Sequence, residues 1–467
     1  MSNQVNPAGY LTVIDSRTKR DYRIPIVNNS VKASDFRQIT SVDASTGAKS
    51  ESESGLKIFD RGFVNTACVE SSITKIDGEN GRIHYRDMSI EHLFEHHDYE
   101  EVIHLLIWGH LPSVMEKSLL RRALATQMKP PQSVIDTIRT FPRDSPTFSM
   151  ISGGLSAYAA VDEIPAKVRN QLQPIFLKNM PVVDAAIIRT IAIVATTVAL
   201  VYCHKHGREF TPADPYGSYI ANMLLMMGIA KDGVHDAEIE RFVQRLWILH
   251  ADHGITNSTA AFLHAASTLT DPLSCAISSL VSVYGPLHAG AIDLMFQQLE
   301  QIGTVDRVPA FVEAMKARKQ RLFGFGHRIY KTVDPRATLI RQMLDSHLSG
   351  REQQQSSDKL RKNSSLLQIA REIDRVASSD SYFASRGLHA NADLYGPLMY
   401  TALGFETDII VAMAYLSRLP GMLAHWREEM QQPPVIWRPQ QLDKQTTSKE
   451  GRGGQLGTNS RVGYPRL

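Results

Sequence analysis

Four short clusters in the second half of the chain combine histidines, a carboxylate and arginines: His250-Ala251-Asp252-His253, Gly285-Pro286-Leu287-His288, Gly326-His327-Arg328 running on to Asp334-Pro335-Arg336, and Asn391-Ala392-Asp393. A carboxylate removes a weakly acidic proton from carbon only where donors stabilise the charge that develops, and imidazoles are such donors. Arginines beside them offer planar forks to carboxylates. The chemistry these types suit is the making of an enol beside a polarised ketone, carbon–carbon bond formation without a metal.

Each cluster alone is less specific. Ile239, Phe242, Val243, Leu246 and Leu249 recur at three and four residues, so they predict a helix ending near Gly254 with His250 and His253 close to its C-terminal end. His250 reads as structural and His253 as a substrate contact. A metal could take that spacing, but a closed site needs more ligands and no nearby Cys or Glu supplies one. The metalloenzyme alternative adds His92 and His96, which read instead as a polar helix face. After Gly285-Pro286, His288 precedes the small residues Ala289-Gly290-Ala291, which leave room for a ligand and let a helix start. His327 follows Gly324-Phe325-Gly326, which lacks the third glycine of a dinucleotide fingerprint. Pro335 fixes the backbone before Arg336, whose fork is then presented to a carboxylate.

The elements that must carry these groups are mostly helical. Near the N-terminus Tyr10–Asp15 with Tyr22–Val27, and Ile73–Ile76 with Arg82–Tyr85, predict two hairpins, with Ser41–Ser54 an exposed connection between them. From Ser89 onward the period changes to that of helices, broken at Asp144-Ser145-Pro146, Thr211–Pro215 and Gly285-Pro286. Ser346–Ser365 reads as a polar loop or frayed helix end, and Gly451–Ser460 as a mobile tail.

With 467 residues the chain can bury a large core, and its net charge of +3 is spread without a basic block, which argues against nucleic acid and membrane surfaces as partners. Cys68, Cys203 and Cys275 are far apart and read as reduced, buried thiols of an intracellular protein. Met1–Tyr10 resembles neither a secretory signal nor a mitochondrial presequence, so secretion is not expected. The apolar run Ile191–Tyr202 is about half a membrane span, which predicts a soluble protein. Pro465-Arg466-Leu467 is a weak variant of the peroxisomal Ser-Lys-Leu address and leaves peroxisome and cytoplasm open.

Together the clusters resemble the citrate synthase family. Arg143-Asp144-Ser145, Tyr219–Met226, the four clusters, Ser417-Arg418 and Arg438-Pro439 fall in that family's order, with the likeness running from about Asp60 almost to Leu442. The resemblance implies an all-α, two-domain helical fold with short N-terminal β-hairpins. It implies an N-terminal extension over 1–54, a large helical domain over 55–292, a small inserted domain over 293–405 carrying Asp393, and a return over 406–467 with a dimer arm and tail. Closure of the two domains around oxaloacetate would assemble the site.

By the same resemblance Asp393 is the general base, His288 supports the enol oxygen and His327 polarises the ketone of oxaloacetate. His253, Arg336, Arg418 and Arg438 are implied to bind oxaloacetate, Arg438 from the neighbouring subunit of a homodimer. Arg328 and Lys331 are implied to approach coenzyme A. The substrates are oxaloacetate and acyl-CoA, with no permanently bound cofactor and no metal.

The chain departs from the family beside its reactive residues: Gly254-Ile255-Thr256 where Glu and Asn are usual, Ala289 where Gly is usual, and Leu394-Tyr395-Gly396-Pro397 where Phe-Tyr-Ser-Gly is common. Lost bulk there predicts an acyl donor larger than acetyl-CoA and a 2-alkylcitrate product. The alternatives are an ordinary citrate synthase using acetyl-CoA, a 2-methylcitrate synthase using propionyl-CoA, and an inactive ligand-sensing relative.

Overall fold

The computed structural model describes residues 7–40, 55–170, 173–229, 236–349 and 358–442; Ser41–Ser54, Gly451–Ser460 and Pro465-Arg466-Leu467 lie outside them. Contacts divide the chain into two units, Met1–Glu70 and Ser71–Leu467. In the first, Gly9–Asp15 and Arg20–Ile26 pair antiparallel from Gly9↔Ile26 to Asp15↔Arg20. The turn is held by Asp15, whose carboxylate accepts from Arg17 N at 3.0 Å and Nη2 at 2.9 Å. Cys68 belongs to this unit and is exposed, so only Cys203 and Cys275 are the buried thiols expected of all three. Cys68 lies in a stretch that itself forms no helix or strand.

The second unit opens with the hairpin Thr74–Asp77 and Arg82–Tyr85, extended by Met88–Ser89. Helices follow. The breaks fall where proline and small residues predicted them, between Gln132–Thr140 and Thr147–Val161, after Met180–His206, and between Pro272–Val283 and Ala291–Ile302. The polar stretch Ser346–Ser365 is helical at both ends, in Pro335–Ser349 and Asp358–Ser379, and residues 350–357 lie outside the described structure.

Two long helices run through the core. Met180–His206 spans 27 residues with a mean hydropathy of 2.0 over its most apolar window, of which 89% is buried. It is longer than the predicted apolar run, and by length and composition alone it could cross a bilayer. The protein around it takes the place of lipid, and the buried Thr190, Thr196 and Thr197 hydroxyls donate to carbonyls four residues back. Thr407–Glu429 packs against it and against Tyr99–Trp108.

Thr407–Glu429 also touches the turn that carries the first histidine cluster. A Cβ on Gly421 would lie 2.4 Å from Ala251 O and 2.5 Å from Asp252 Oδ1, so only glycine allows this approach. Gly421→Ala is expected to cost ~1–3 kcal/mol through overpacking, seen as a thermal midpoint lowered by several degrees. An unchanged midpoint would show that the contact yields freely.

Candidate active site

His250 is the last residue of the helix Ala237–His250, and Ala251-Asp252-His253 turn away from its end. The turn is anchored below by Asp252, fully buried, whose Oδ2 accepts from Gly254 N at 2.8 Å and from His425 Nε2 at 3.3 Å. Burial works against that carboxylate, yet His425 and Arg418 hold its pKa below the usual value. Asp252 therefore fixes the turn, and the histidines on either side face a cavity.

His250 Nδ1 lies 2.8 Å from Leu246 O, which requires the proton on Nδ1. Burial and the nearby Arg336 push its pKa down to about 3, so the ring is neutral. His253 bonds Tyr330 Oη through Nε2 at 2.8 Å and meets His327 edge-on, with ring centroids 5.2 Å apart. It too is held neutral, by burial and by Arg336.

The loop bearing His327 is stitched to the segment bearing Asp393. Gly326 N donates to His389 O at 2.8 Å, Asn391 N to Gly324 O at 2.9 Å, and Asn391 Nδ2 to Gly326 O at 2.8 Å. Asn391 also caps the helix Ala392–Ala402 by accepting from Asp393 N at 2.9 Å. One asparagine thus sets His327 and Asp393 relative to each other. His327 Nδ1 accepts from Ile329 N at 3.1 Å and from Tyr330 N at 3.4 Å, so the ring proton sits on Nε2, where it can be donated. Burial and Arg336 lower its pKa to about 4.

His288 sits in the turn before Ala291–Ile302, with Nε2 2.9 Å from Ser258 Oγ, and burial lowers its pKa to about 4. Asp393 is open to the cavity but walled by protein. Burial raises its pKa above the ordinary 3.8, with Asp334 adding to this and Arg336, Arg321 and Arg418 opposing it.

The two arginines differ. Arg336 already holds a carboxylate, donating from Nε to Asp334 Oδ1 at 3.0 Å and from Nη2 to Oδ2 at 2.8 Å. Asp334 Oδ2 also accepts from Ala392 N at 3.2 Å, tying the arginine to the start of the Asp393 helix. The expected free fork is therefore shared with a neighbour two residues away. Arg418 donates from Nε to His250 O at 2.6 Å and, among the described residues, has no carboxylate within ion-pair distance. Burial lowers its pKa and Arg336 adds to this, while Asp252 and Asp393 oppose it through space.

One cavity of about 210 Å³ is lined by His250, His253, His288, His327, Arg336, Asp393 and Arg418. Of the sequence-derived candidates, Arg328, Lys331 and Arg438 do not line it and are exposed. Lys331 Nζ pairs with Glu79 on the hairpin turn. His92 and His96 are exposed on Ile90–His96, and among the described residues they join no ligand group with His250 or His253. Of the departures expected to shape the acyl site, Thr256, Ala289, Gly396 and Pro397 line the cavity, whereas Gly254, Ile255, Leu394 and Tyr395 do not. Leu394 turns towards Gly324, where an added Cβ would meet Leu394 Cβ at 2.8 Å. Sequence reasoning missed Ser258, Tyr330 and Arg321, as well as an apolar wall that includes Val283, Ile292, Ile410 and Ala414.

Comparison with known proteins agrees with this geometry. The family described as citrate synthase, C-terminal domain, matches residues 62–440. A citrate synthase-like protein of Aspergillus oryzae is 43% identical over 92% of this chain and 95% of its own length. An alkylcitrate synthase of a fungal species is 39% identical over 92% of each chain. The solved citrate synthase of the thermophilic archaeon Thermoplasma acidophilum, in ternary complex with carboxymethyl coenzyme A and oxaloacetate, matches with a TM-score of 0.73. It is 25% identical and covers 87% of this chain and 98% of that one.

Proposed function

The chain belongs to the citrate synthase family, and from that premise we propose that it condenses an acyl-CoA longer than acetyl-CoA with oxaloacetate and hydrolyses the thioester, giving a 2-alkylcitrate and CoA. The observation that carries the condensation is the shared cavity, in which a base, two neutral imidazoles and a guanidinium bonded to no carboxylate converge. The longer donor is supported by the apolar wall of that cavity and by the likeness to an alkylcitrate synthase.

In this reading Arg418, Arg336 and His253 receive the carboxylates of oxaloacetate. His327 Nε2–H donates to the ketone oxygen and leaves the carbonyl carbon electron-poor. Asp393 takes the proton from the carbon next to the thioester, and the thioester oxygen gathers the charge against His288. If Ser258 Oγ–H donates to His288 Nε2, the proton of that ring sits on Nδ1, free to stabilise the enol. The enol carbon then bonds to the ketone carbon, whose oxygen gains a proton and becomes the hydroxyl. Water cleaves the C–S bond, and CoA leaves as the thiol.

Neutral imidazoles suit both roles, since each must donate a hydrogen bond without becoming an acid strong enough to protonate the base. Arg438 is placed in this scheme as the contribution of a second copy to the oxaloacetate carboxylates, in a homodimer. Arg328 and Lys331 stand on the exposed rim, where CoA phosphates would displace the surface pair with Glu79. The scheme draws on no resident cofactor or metal.

Free thiol release with oxaloacetate and acetyl-, propionyl-, hexanoyl- or decanoyl-CoA tests the proposal. A kcat/KM higher for a longer donor than for acetyl-CoA is expected. A maximum at acetyl-CoA with no turnover of longer chains would make the chain an ordinary citrate synthase, and no thiol release from any donor would make it an inactive relative.

A further inference from the structure

Two helices cross the cavity, and each runs from a reactive group into apolar surroundings. On Thr407–Glu429, Ile410, Ala414 and Arg418 are spaced by four residues and share a face. On Ala392–Ala402, Asp393, Gly396, Pro397 and Tyr400 do the same at three, four and seven. Gly396 has no side chain and Ala414 only a methyl, so both stripes are lowest one turn from the charged residue.

Beyond those low points the wall is apolar and closed. Ile410 is 0%, Tyr415 1%, Tyr400 3% and Val283 4% exposed, although each lines the cavity. The two tyrosines turn their polar ends elsewhere: Tyr400 Oη accepts from Trp247 Nε1 at 2.8 Å, and Tyr415 Oη donates to Ala276 O at 2.7 Å and lies 2.8 Å from Ser279 Oγ. What they offer the cavity is ring. Leu287, by contrast, is 73% exposed and marks the outer side.

Resting on the reading of an acyl-CoA longer than acetyl, we infer that this inner end is a chamber for the alkyl chain of the donor and that Ala414 is the residue whose small size opens it. Entering from the outer side, a thioester places its α-carbon at Asp393 and its chain over Gly396 and Ala414 towards Ile410, Tyr400 and Tyr415. The stripes span about two turns, roughly 11 Å, within a cavity of about 210 Å³ that oxaloacetate must share, so a short alkyl chain fills it. The polar ends of Tyr400 and Tyr415 are bonded elsewhere, and beside Gly396 stands the ring of His250, with Nε2 3.7 Å from where a Cβ on that glycine would lie, so it is beyond this ring that each methylene buried gains about fourfold in binding. Ala414 is therefore a specificity-determining residue, one turn from the Arg418 that holds the other substrate.

Ala414→Phe puts a ring across the low point, and Ala414→Val adds two methyl groups in case the larger residue does not fold. Both are compared with wild type by kcat/KM over the same donor series, with thermal midpoint and oxaloacetate binding as checks on the fold. The expected result is a loss that grows with chain length, the hexanoyl to acetyl ratio falling by about 100-fold in Ala414→Phe and about tenfold in Ala414→Val. An equal loss for all donors, or no loss, in a folded variant would overturn the chamber. The wild-type series decides separately whether long donors are used at all, so failure of the functional reading and failure of the chamber are told apart.

Discussion

Asp393→Asn is expected to lower kcat for condensation by on the order of 10²–10⁴-fold and to leave the KM for oxaloacetate within a few-fold of wild type. The amide has the shape of the acid and cannot take a proton. The cap that positions residue 393 runs through its backbone N–H to Asn391, so the exchange leaves the start of the helix intact. Rapid-quench measurement of thiol release, with the thermal midpoint alongside, separates loss of the base from loss of the fold. Full activity in the variant would remove Asp393 from the role of base.

The pH dependence follows from the same environment with a definite sign. Asp393 must be ionised and its pKa is raised by burial, while His288 and His327 must be neutral and theirs are lowered to about 4. Falling pH removes all three conditions, so kcat/KM has an acid limb. Because both imidazoles have already lost their charge well above pH 4, the histidine value of 6.5 leaves no mark. Titration of the His288 or His327 imidazole proton resonances near 6.5 would mean that this ring is solvated as an ordinary imidazole.

The family was legible in the sequence because it shows in residue types at set spacings, and the surrounding geometry was not because it depends on where a helix turns. Leu394 was expected beside the acyl group on the ground that it follows Asp393. In a helix the next residue points roughly 100° away, and Leu394 accordingly packs on Gly324. The positions that share the face of Asp393 are Gly396, Pro397 and Tyr400, and the one that shares the face of Arg418 from the preceding turn is Ala414. The partners that set the histidine tautomers were equally hidden. Ser258 and His288 are 30 residues apart and His253 and Tyr330 are 77 apart, and no local pattern joins them. The Asp334–Arg336 pair was short enough to see, but the spacing alone does not say that the fork closes on its own neighbour. The hairpins and the helix breaks were read correctly because turn residues and proline act on the backbone locally.

Arg418 carries the second large effect, and the case for it rests on a buried charge that no carboxylate bonds directly, with Asp252 and Asp393 acting on it only through space. A guanidinium removed from water without a carboxylate costs free energy, which folding alone has no reason to retain. Arg336 shows the alternative, since Asp334 neutralises it within the chain. Arg418→Met keeps the length and the packing while removing the charge. It also frees the carbonyl of His250, a loss of about 1 kcal/mol for a hydrogen bond to a cavity that water can reach. Relief of the desolvated charge offsets that loss and the weaker support of the buried Asp252 carboxylate, so the variant is expected to melt close to wild type. Oxaloacetate would then bring a carboxylate into the cavity with its main partner gone. Its KM is expected to rise by on the order of 10²–10³-fold, as when one member of a buried ion pair is deleted. The two measurements together discriminate: a raised KM with a thermal midpoint close to wild type marks a residue kept for the substrate, whereas a midpoint several degrees lower with an unchanged KM would make Arg418 a structural tie to the His250 turn.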